Sequence, residues 1–206
     1  SAGALHSARA AQTLAQTPEI CARLGLARDH MTPAELMRAL MTAEVDLLWF
    51  GGIGAYVKSS KETHADAGDK TNDALRVDGV ELRCKVVGEG ANLGVTQRGR
   101  IEAAMRGVRL NTDAIDNSAG VDTSDHEVNI KILLGDVLRR GDMTVKQRNQ
   151  LLATMTDEVA AQVLTDNYLQ SQALSVAEAQ AAAQLDGCAR FMRRLEKAGR
   201  PARASC

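Results

Sequence analysis

Two stretches of this sequence decide its fold: VDLLWF at residues 45–50, which Gly51 ends, and RCKVV at residues 83–87, which Gly88 ends. Each is a short run rich in apolar residues and bounded by glycine, a pattern that is typical of a buried strand. A third and shorter run, VRL at residues 108–110, follows a segment with a helical pattern. Strands that alternate with helices indicate a parallel sheet joined by right-handed crossovers. These residues therefore predict an α/β fold built on a partial parallel sheet with flanking helices.

The sequence on either side of the sheet is predicted to be helical. Residues 1–44 are an Ala-rich lead-in, residues 45–140 carry the sheet, and residues 141–206 form an all-helical C-terminal segment. A Ser or Thr caps a helix start, most effectively when Glu or Gln follows three residues later, because the two side chains bond the free N–H groups. Residues of this kind predict helices that start after Thr32, Thr96, Ser124, Thr144 and Ser175.

Composition excludes several classes of partner. The formal net charge of -1 predicts no basic face, so we expect no nucleic-acid partner, and no apolar run reaches membrane-spanning length. The histidines show no metal-ligand spacing, so we expect no metal site. The cysteines lack CxxC spacing, which predicts free thiols and a cytoplasmic location. Trp49, the only tryptophan, is predicted to pack in the core. The cysteines are Cys21, Cys84, Cys188 and Cys206, and the histidines are His6, His30, His64 and His126.

A glycine cluster follows each of the first two strands. Gly88, Gly90 and Gly94 have GxGxxxG spacing between a strand and a helix, which is similar to the phosphate turn of dinucleotide-binding proteins. Glycine there lets the backbone approach a pyrophosphate, and the helix N-terminus faces the negative charge. The other cluster includes Gly52 and Gly54. The alternative is that all these glycines only turn a strand into the next segment.

Three unusual loops are predicted to share one edge of the sheet. In an open parallel sheet, ligands bind beyond the carboxyl ends of the strands. The two glycine clusters and the segment 112–124 all follow such ends. Residues 58–79 are predicted to form a polar loop with a short helix, in which Lys58 is solvated; the alternative is that Lys58 and Lys61 contact a phosphate near the glycine cluster.

The third loop contains DNSAGVDTSDHE at residues 116–127. Ser124 and Glu127 have capping-box spacing, so a helix is predicted to begin there. A helix N-terminus offers free N–H groups and a positive dipole end to an anion. We therefore expect a substrate carboxylate to bind at Ser124, with the hydroxyl adding a hydrogen bond.

These strings together resemble the glutamate dehydrogenase family, in which an EGAN turn precedes an N-x-G-G-V-x-x-S-x-x-E loop. The resemblance to its large NAD-specific bacterial branch extends over residues 46–73, 85–102 and 111–134. It implies a partial Rossmann-like sheet, NAD as the cofactor, and L-glutamate and 2-oxoglutarate as substrate and product. It also implies a homo-oligomer for the full-length protein.

The resemblance implies a role for each matching residue. Asn92 is similar to the asparagine near the nicotinamide ribose, and Asn117 to the asparagine beside the nicotinamide carboxamide. Gly120 and Val121 are similar to residues that line the aliphatic chain of the substrate, and Ser124 to the serine that binds its side-chain carboxylate. The glycines expected to let the backbone pass close to the cofactor are Gly52, Gly54, Gly88 and Gly90.

Other parts of the family pattern have no match in this sequence. The catalytic lysine, the catalytic aspartate and the first GxGxxG turn normally precede the matching region, and Lys58 is the first lysine present. We therefore expect a piece of a larger enzyme that contains no catalytic residue and is inactive alone. Two alternatives remain: a small NAD(P)-binding oxidoreductase that uses GEGANLG as its phosphate turn, or a non-enzymatic helical interaction module.

Overall fold

The structure, a computed structural model, describes residues 13–27 and 30–200. Two units share the chain, Ser1–Leu133 and Leu134–Cys206. His6, Cys206 and the first twelve residues of the expected helical lead-in lie outside the described residues. In chain order the elements are β1 (Leu14–Ala15), α1 (Pro18–Leu24), β2 (His30–Met31), α2 (Pro33–Met41), β3 (Leu47–Phe50), β4 (Val57–Lys58), β5 (Val77–Asp78), β6 (Val86–Glu89), α3 (Gln97–Met105), α4 (Asp113–Asp116), α5 (Ser118–Arg140) and α6 (Val145–Lys197), with 3₁₀ turns at Lys70–Asn72 and Gly79–Glu81.

The predicted parallel pairing is confirmed. β3 and β6 pair in parallel from Leu47 opposite Val86 to Phe50 opposite Glu89. Arg109 adds a parallel bridge to Val86, so β6 has a neighbour on each side. The expected third strand is reduced to this bridge, because the chain leaves the sheet for α4 only a few residues later. The second strand, β6, spans Val86–Glu89 and therefore begins and ends later in the sequence than the predicted residues 83–87.

The position of β6 corrects the prediction that Gly88 ends this strand. Gly88 does not end the strand but lies inside it, and Glu89 is its last residue. A glycine in a strand interior often marks the close approach of another group. Here that group is the side chain of Trp49, which lies opposite Gly88.

The core of the first unit is assembled from small and aliphatic side chains around β3, β4, β5, β6 and α3. Phe50 is buried and its ring stacks on Tyr56 at 5.5 Å. Trp49 points the other way, because successive strand residues face opposite sides of a sheet. It is 57% exposed, so the prediction of a core position was wrong. The buried cluster consists of Met41, Phe50, Val57, Val77, Leu82, Cys84, Val87, Val95, Ala103 and Val108.

The polar segment 58–79 is more ordered than a solvated loop. β4 and β5 pair in parallel, and Lys58 is buried against Asp78, with which it forms an ion pair. The expectation of a solvated Lys58 was therefore wrong. Arg76 is almost fully buried and donates to the carbonyl oxygen of Ala55 at 2.7 Å and to Asp73 at 2.5 Å. Paired in this way, both cations meet the requirement that a buried charge be compensated.

Helix starts in the first unit follow their capping residues. Thr32 and Glu35 form the predicted capping box of α2, with Pro33 in its first turn. Thr96 caps α3 by accepting a hydrogen bond from the Gly99 N–H, as predicted.

The described part of the second unit consists of helices joined by a short turn, as predicted for the C-terminal segment. Thr144 and Gln147 form the expected capping box at the start of α6. Ser175 does not start a new helix: it lies inside the 53-residue α6, and its hydroxyl donates to the Ser171 carbonyl oxygen at 3.1 Å. No glycine or proline interrupts residues 145–186, so nothing stops the helix before Ser175. Among the described residues, no helix combines the length and the apolar character needed to cross a membrane.

Candidate functional site

The carboxyl ends of β3 and β6 lie side by side. The N–H of Gly90 donates to the carbonyl oxygen of Phe50 at 2.9 Å, so the two glycine clusters leave the sheet at one edge, as the sequence predicts. The segment after Arg109 returns to this edge and forms α4. All three loops singled out from the sequence therefore belong to one surface.

The glycines at 88 and 90 lie under the indole of Trp49. A Cβ atom at Gly88 would be 2.6 Å from Cε3 of Trp49, and one at Gly90 would be 2.4 Å from Cζ2. Neither glycine has a positive φ. Contact with the indole is thus sufficient to explain why both positions lack a side chain.

The two glycines of the first cluster, Gly52 and Gly54, differ in what a Cβ atom would contact. Gly54 has a φ of +149°, and a Cβ there would be 2.6 Å from Nδ2 of Asn72 and 2.8 Å from the ring of Tyr56. Gly52 is exposed, and a Cβ there would meet nothing within 4 Å. Local packing accounts for Gly54, whereas Gly52 leaves open space at the sheet edge.

Glu89 is a site residue that the sequence reasoning missed. Its side chain is fully buried, forms an ion pair with Arg100 and accepts a hydrogen bond from the Val95 N–H at 3.1 Å. Burial raises the pKa of Glu89 above its ordinary value, and the Arg100 guanidinium opposes that rise. The signal was a glutamate inside an apolar strand, followed eleven residues later by an arginine on α3. Through this ion pair the start of the EGAN turn is fixed to α3.

The short helix α4 holds the same turn from the other side. The carboxylate of Asp116 accepts a hydrogen bond from the Glu89 N–H at 3.0 Å, and that of Asp113 accepts one from the Leu93 N–H at 2.8 Å. Both donors belong to the turn that the sequence predicts to meet a cofactor. The turn therefore takes its shape from side chains of the next loop along the edge.

Asn92 and Asn117 are brought into direct contact. The Asn117 side chain donates from Nδ2 to Oδ1 of Asn92 at 2.8 Å. Within residues 13–27 and 30–200, the Nδ2 of Asn92 and the Oδ1 of Asn117 have no hydrogen-bond partner. The pair therefore presents one amide donor and one amide acceptor next to each other.

The segment that carries Ser124 differs from the sequence prediction. α5 begins at Ser118, so Ser124 lies in its second turn and is not an N-cap. Neither proline nor a positive-φ glycine separates Ser118 from Ser124, and Gly120 takes part in the helix. The N–H groups near Ser124 are consequently used by the helix, and the proposed anion site at a helix end does not form there.

Helical geometry nevertheless keeps the three predicted substrate residues together. Positions i, i+1 and i+4 lie on one face of a helix, which is the spacing of Gly120, Val121 and Ser124. All three are exposed, with Val121 at 53%. A Cβ at Gly120 would be 2.7 Å from Oδ1 of Asn117, so the free acceptor of the amide pair lies against the start of this face.

A cavity of about 400 Å³ opens beside the turn. Its wall includes Gly54 and Leu93, and it is also lined by Asp69, Arg100 and Asp113. Hydrogen bonds from the Asn72 side chain and the Ala55 N–H lower the pKa of Asp69. The cavity borders the residue that follows Asn92 and offers both carboxylate and guanidinium groups.

Comparison with known proteins identifies close relatives. The sequence profile of the family described as "Bacterial NAD-glutamate dehydrogenase, catalytic domain" matches residues 1–177. A protein of Halomonas elongata is 59% identical over 191 residues, which cover 93% of this chain and 12% of that protein. A protein of Pseudomonas aeruginosa is 58% identical over 204 residues, covering 99% of this chain and 13% of that protein.

A third relative, from Mycobacterium tuberculosis, is 53% identical over 156 residues, which cover 76% of this chain and 10% of that protein. All three carry the name NAD-specific glutamate dehydrogenase. The chain thus spans 10 to 13% of the length of these relatives, which agrees with the prediction that it corresponds to one part of a larger enzyme.

Proposed function

This chain belongs to the bacterial NAD-glutamate dehydrogenase family, and on that premise we propose that it supplies the nicotinamide side and part of the substrate side of a glutamate dehydrogenase site. The reaction is the reversible oxidative deamination of L-glutamate to 2-oxoglutarate and ammonia, with NAD as the cofactor. The sheet is a partial Rossmann-like sheet whose first strands belong to the rest of the enzyme. The enzyme acts in the cytoplasm as a homo-oligomer. The names and identities of the relatives support the activity, and the parallel order of β3, β6 and Arg109 supports the fold.

The amide pair formed by Asn92 and Asn117 is the observation on which this proposal depends. A carboxamide carries one carbonyl acceptor and one NH₂ donor, and the pair leaves one Nδ2 donor and one Oδ1 acceptor without partners in the described part of the chain. The free donor and acceptor of the amide pair are therefore complementary to the acceptor and donor of a carboxamide. We therefore assign Asn117 to the carboxamide of the nicotinamide ring, as the resemblance implies, and propose that Asn92, expected near the ribose, shares that contact.

When bound, NAD supplies the ring carbon that accepts hydride, and this chemistry belongs to the cofactor. The residues of this chain orient the ring. Two hydrogen bonds to one carboxamide fix both its position and its rotation, whereas a single bond would leave it free to turn. The hydrogen bond between Asn92 and Asn117 holds both amides in the required orientation before the ligand arrives, which reduces the entropy that binding costs.

The exposed face of α5 is assigned to the substrate. Val121 offers an apolar surface to the aliphatic chain of glutamate, and the Ser124 hydroxyl offers a hydrogen bond to its side-chain carboxylate. Gly120 keeps the face open next to Asn117. Asp122 lies two residues from Ser124, about 200° around the helix, and its carboxylate is 3.5 Å from His126. Its negative charge is thus directed away from the proposed carboxylate position.

The glycines are proposed to have unequal roles at the cofactor. Gly52 has the open surroundings that the close approach of a ligand requires. Gly54 lines the cavity beside the turn, where Asp69 can accept hydrogen bonds from ribose hydroxyls. Gly88 and Gly90 contribute through the backbone path that carries the chain from β6 to Asn92.

The amide assignment is tested by Asn117→Asp in the full-length protein. The change removes the donor to Asn92 and adds a negative charge where the carboxamide would bind. Losing a hydrogen bond of this kind costs about 1–3 kcal/mol, so the KM for NAD should rise roughly ten- to a hundredfold while the KM for glutamate changes little. NADH formation is followed by its absorbance.

Asn129→Asp is the matched control, because Asn129 is exposed on α5, the helix that follows Asn117, and its side chain donates to the Asp125 carbonyl oxygen within the helix. Its kinetics should equal those of the wild type. If the full-length wild type does not form NADH from glutamate, the proposed activity fails. If Asn117→Asp leaves the KM for NAD unchanged, the assignment of the amide pair fails.

A further inference from the structure

Leu93 adopts a conformation that leucine normally avoids. Its φ is +66°, and it is the one non-glycine residue with a positive φ in the described part of the chain. In this left-handed region Cβ crowds the following carbonyl oxygen, so a bulky residue persists there only when its surroundings hold it. The Leu93 side chain is 67% exposed, so packing does not hold it. Some contact with its backbone must do so.

Asp113 provides that contact. Its Oδ2 accepts a hydrogen bond from the Leu93 N–H at 2.8 Å. Its Oδ1 is 3.8 Å from the guanidinium of Arg100, which is itself paired with the buried Glu89. The Asp113 side chain is 20% exposed. Asp113 is the first residue of α4 and follows the N-cap Thr112. A carboxylate held at both oxygens and at the start of a helix is well placed to fix a strained neighbour.

The conformation of Leu93 determines where Asn92 points. The two residues are adjacent, so a change of φ at Leu93 moves the chain on one side of it relative to the other and breaks the register of the turn with α4. Asn117, the partner of Asn92, caps the C-terminus of that same helix. α4 therefore holds the turn through Asp113 and receives the Asn92 amide through Asn117.

We propose that Asp113 is a positioning residue that holds Leu93 in its left-handed conformation and so keeps the Asn92 amide against Asn117 for cofactor binding. The cofactor part of this inference rests on the proposed function. The contact between Asp113 and Leu93 does not, and the two can be tested separately.

The first test is cofactor affinity in the full-length protein, measured as the dissociation constant of NADH by its fluorescence. Asp113→Ala should weaken NADH binding about tenfold, which corresponds to the penalty that leucine pays in the left-handed region. Asp113→Asn keeps a side-chain oxygen that can accept from the Leu93 N–H, so it should recover most of the affinity. The KM for glutamate should change much less than the KM for NAD.

The second test replaces the strained residue itself. Glycine enters the left-handed region without a steric penalty, so adding Leu93→Gly to Asp113→Ala should partly restore NADH affinity. If Asp113 acted on NADH affinity by a route other than the conformation of Leu93, the added glycine would restore nothing. Asp46→Ala is the control, since Asp46 is exposed and its carboxylate forms an ion pair with the exposed Lys85.

Hydrogen exchange measures the contact without reference to the reaction. Amide exchange of the peptide that spans residues 89–95 should speed up in Asp113→Ala and remain as in the wild type in Asp46→Ala. Unchanged exchange, or unchanged NADH affinity with faster exchange, would overturn the positioning role. A wild-type protein that bound no NADH would instead count against the proposed function, and the exchange result would still decide whether Asp113 holds the turn.

Discussion

Replacing Gly88 by alanine tests why the EGAN turn contains glycine. The sequence reading assigns this glycine to the approach of a cofactor, whereas the structure places the indole of Trp49 where a Cβ atom would lie, 2.6 Å from Cε3. The contact across the strands predicts that Gly88→Ala is destabilising only while Trp49 is present. Cofactor approach alone predicts no loss of stability and a loss of NAD affinity.

The magnitude follows from two opposing contributions. At a glycine without positive φ, alanine stabilises by about 0.4–1 kcal/mol, because it reduces the freedom of the unfolded chain. A collision that the surroundings cannot relieve costs about 1–3 kcal/mol. Since Trp49 is 57% exposed, its ring can turn outwards, so the cost should fall in the lower half of that range. The net expectation for Gly88→Ala is a loss of about 1 kcal/mol in the free energy of unfolding.

The assay is a double-mutant cycle in the 206-residue chain, with urea unfolding followed by circular dichroism. In the Trp49→Ala background, Gly88→Ala should become neutral or slightly stabilising, which gives a coupling energy of about 1–2 kcal/mol. Trp49 is the only tryptophan, so its fluorescence in Gly88→Ala should also shift to the red as the ring leaves the sheet. Gly52→Ala is the matched control, because a Cβ at Gly52 meets nothing within 4 Å, and its stability should not fall. Equal losses with and without Trp49 would refute the packing explanation.

Two further predictions concern Ser124 and Glu89. Ser124→Ala in the full-length protein should change the free energy of unfolding by no more than about 0.5 kcal/mol, since Ser124 is exposed inside a helix. It should lower kcat/KM for glutamate roughly ten- to a hundredfold at unchanged KM for NAD. Steady-state kinetics with glutamate varied measure this, and an unchanged kcat/KM would leave Ser124 with no substrate contact. Burial raises the pKa of Glu89 above its ordinary 4.5, so its contribution to stability is fully present below that unfolded value and is lost as pH rises through the folded pKa. Glu89→Gln should remove this decline. The free energy of unfolding of both proteins is measured as a function of pH from 4.5 upwards, and parallel curves for the two proteins would contradict the prediction.

Local patterns in the sequence were sufficient for the strands and for most helix starts. The apolar runs at 45–50 and 83–87 predicted parallel neighbours, and β3 and β6 are parallel neighbours. Thr32, Thr96 and Thr144 each cap a helix as expected, because capping depends on residues only three positions apart. The common edge of the three loops was also predicted, whereas the direct contact between Asn92 and Asn117 emerged only from the structure.

The features that the sequence did not reveal depend on contacts between distant residues. Lys58 was expected in solvent because it lies in a polar segment, but its partner, Asp78, comes from the next strand of a small sheet. Glu89 was read as part of a turn, and only the folded structure brings Arg100 to it. Capping-box spacing at Ser124 and Ser175 was misleading, because the same spacing occurs inside a helix that has already started.

The correction at Ser124 changes how a substrate carboxylate would be recognised. At a helix start, free N–H groups and the positive end of the dipole would bind the anion, and the hydroxyl would be one contribution among several. In the second turn of α5 those N–H groups bond within the helix, so this face offers the carboxylate the Ser124 hydroxyl and no backbone donor. A single neutral hydrogen bond does not neutralise a carboxylate, so under the proposed function a cation near Ser124 is also required. We propose that this cation belongs to another part of the full-length enzyme, which agrees with the expectation that this chain alone is inactive.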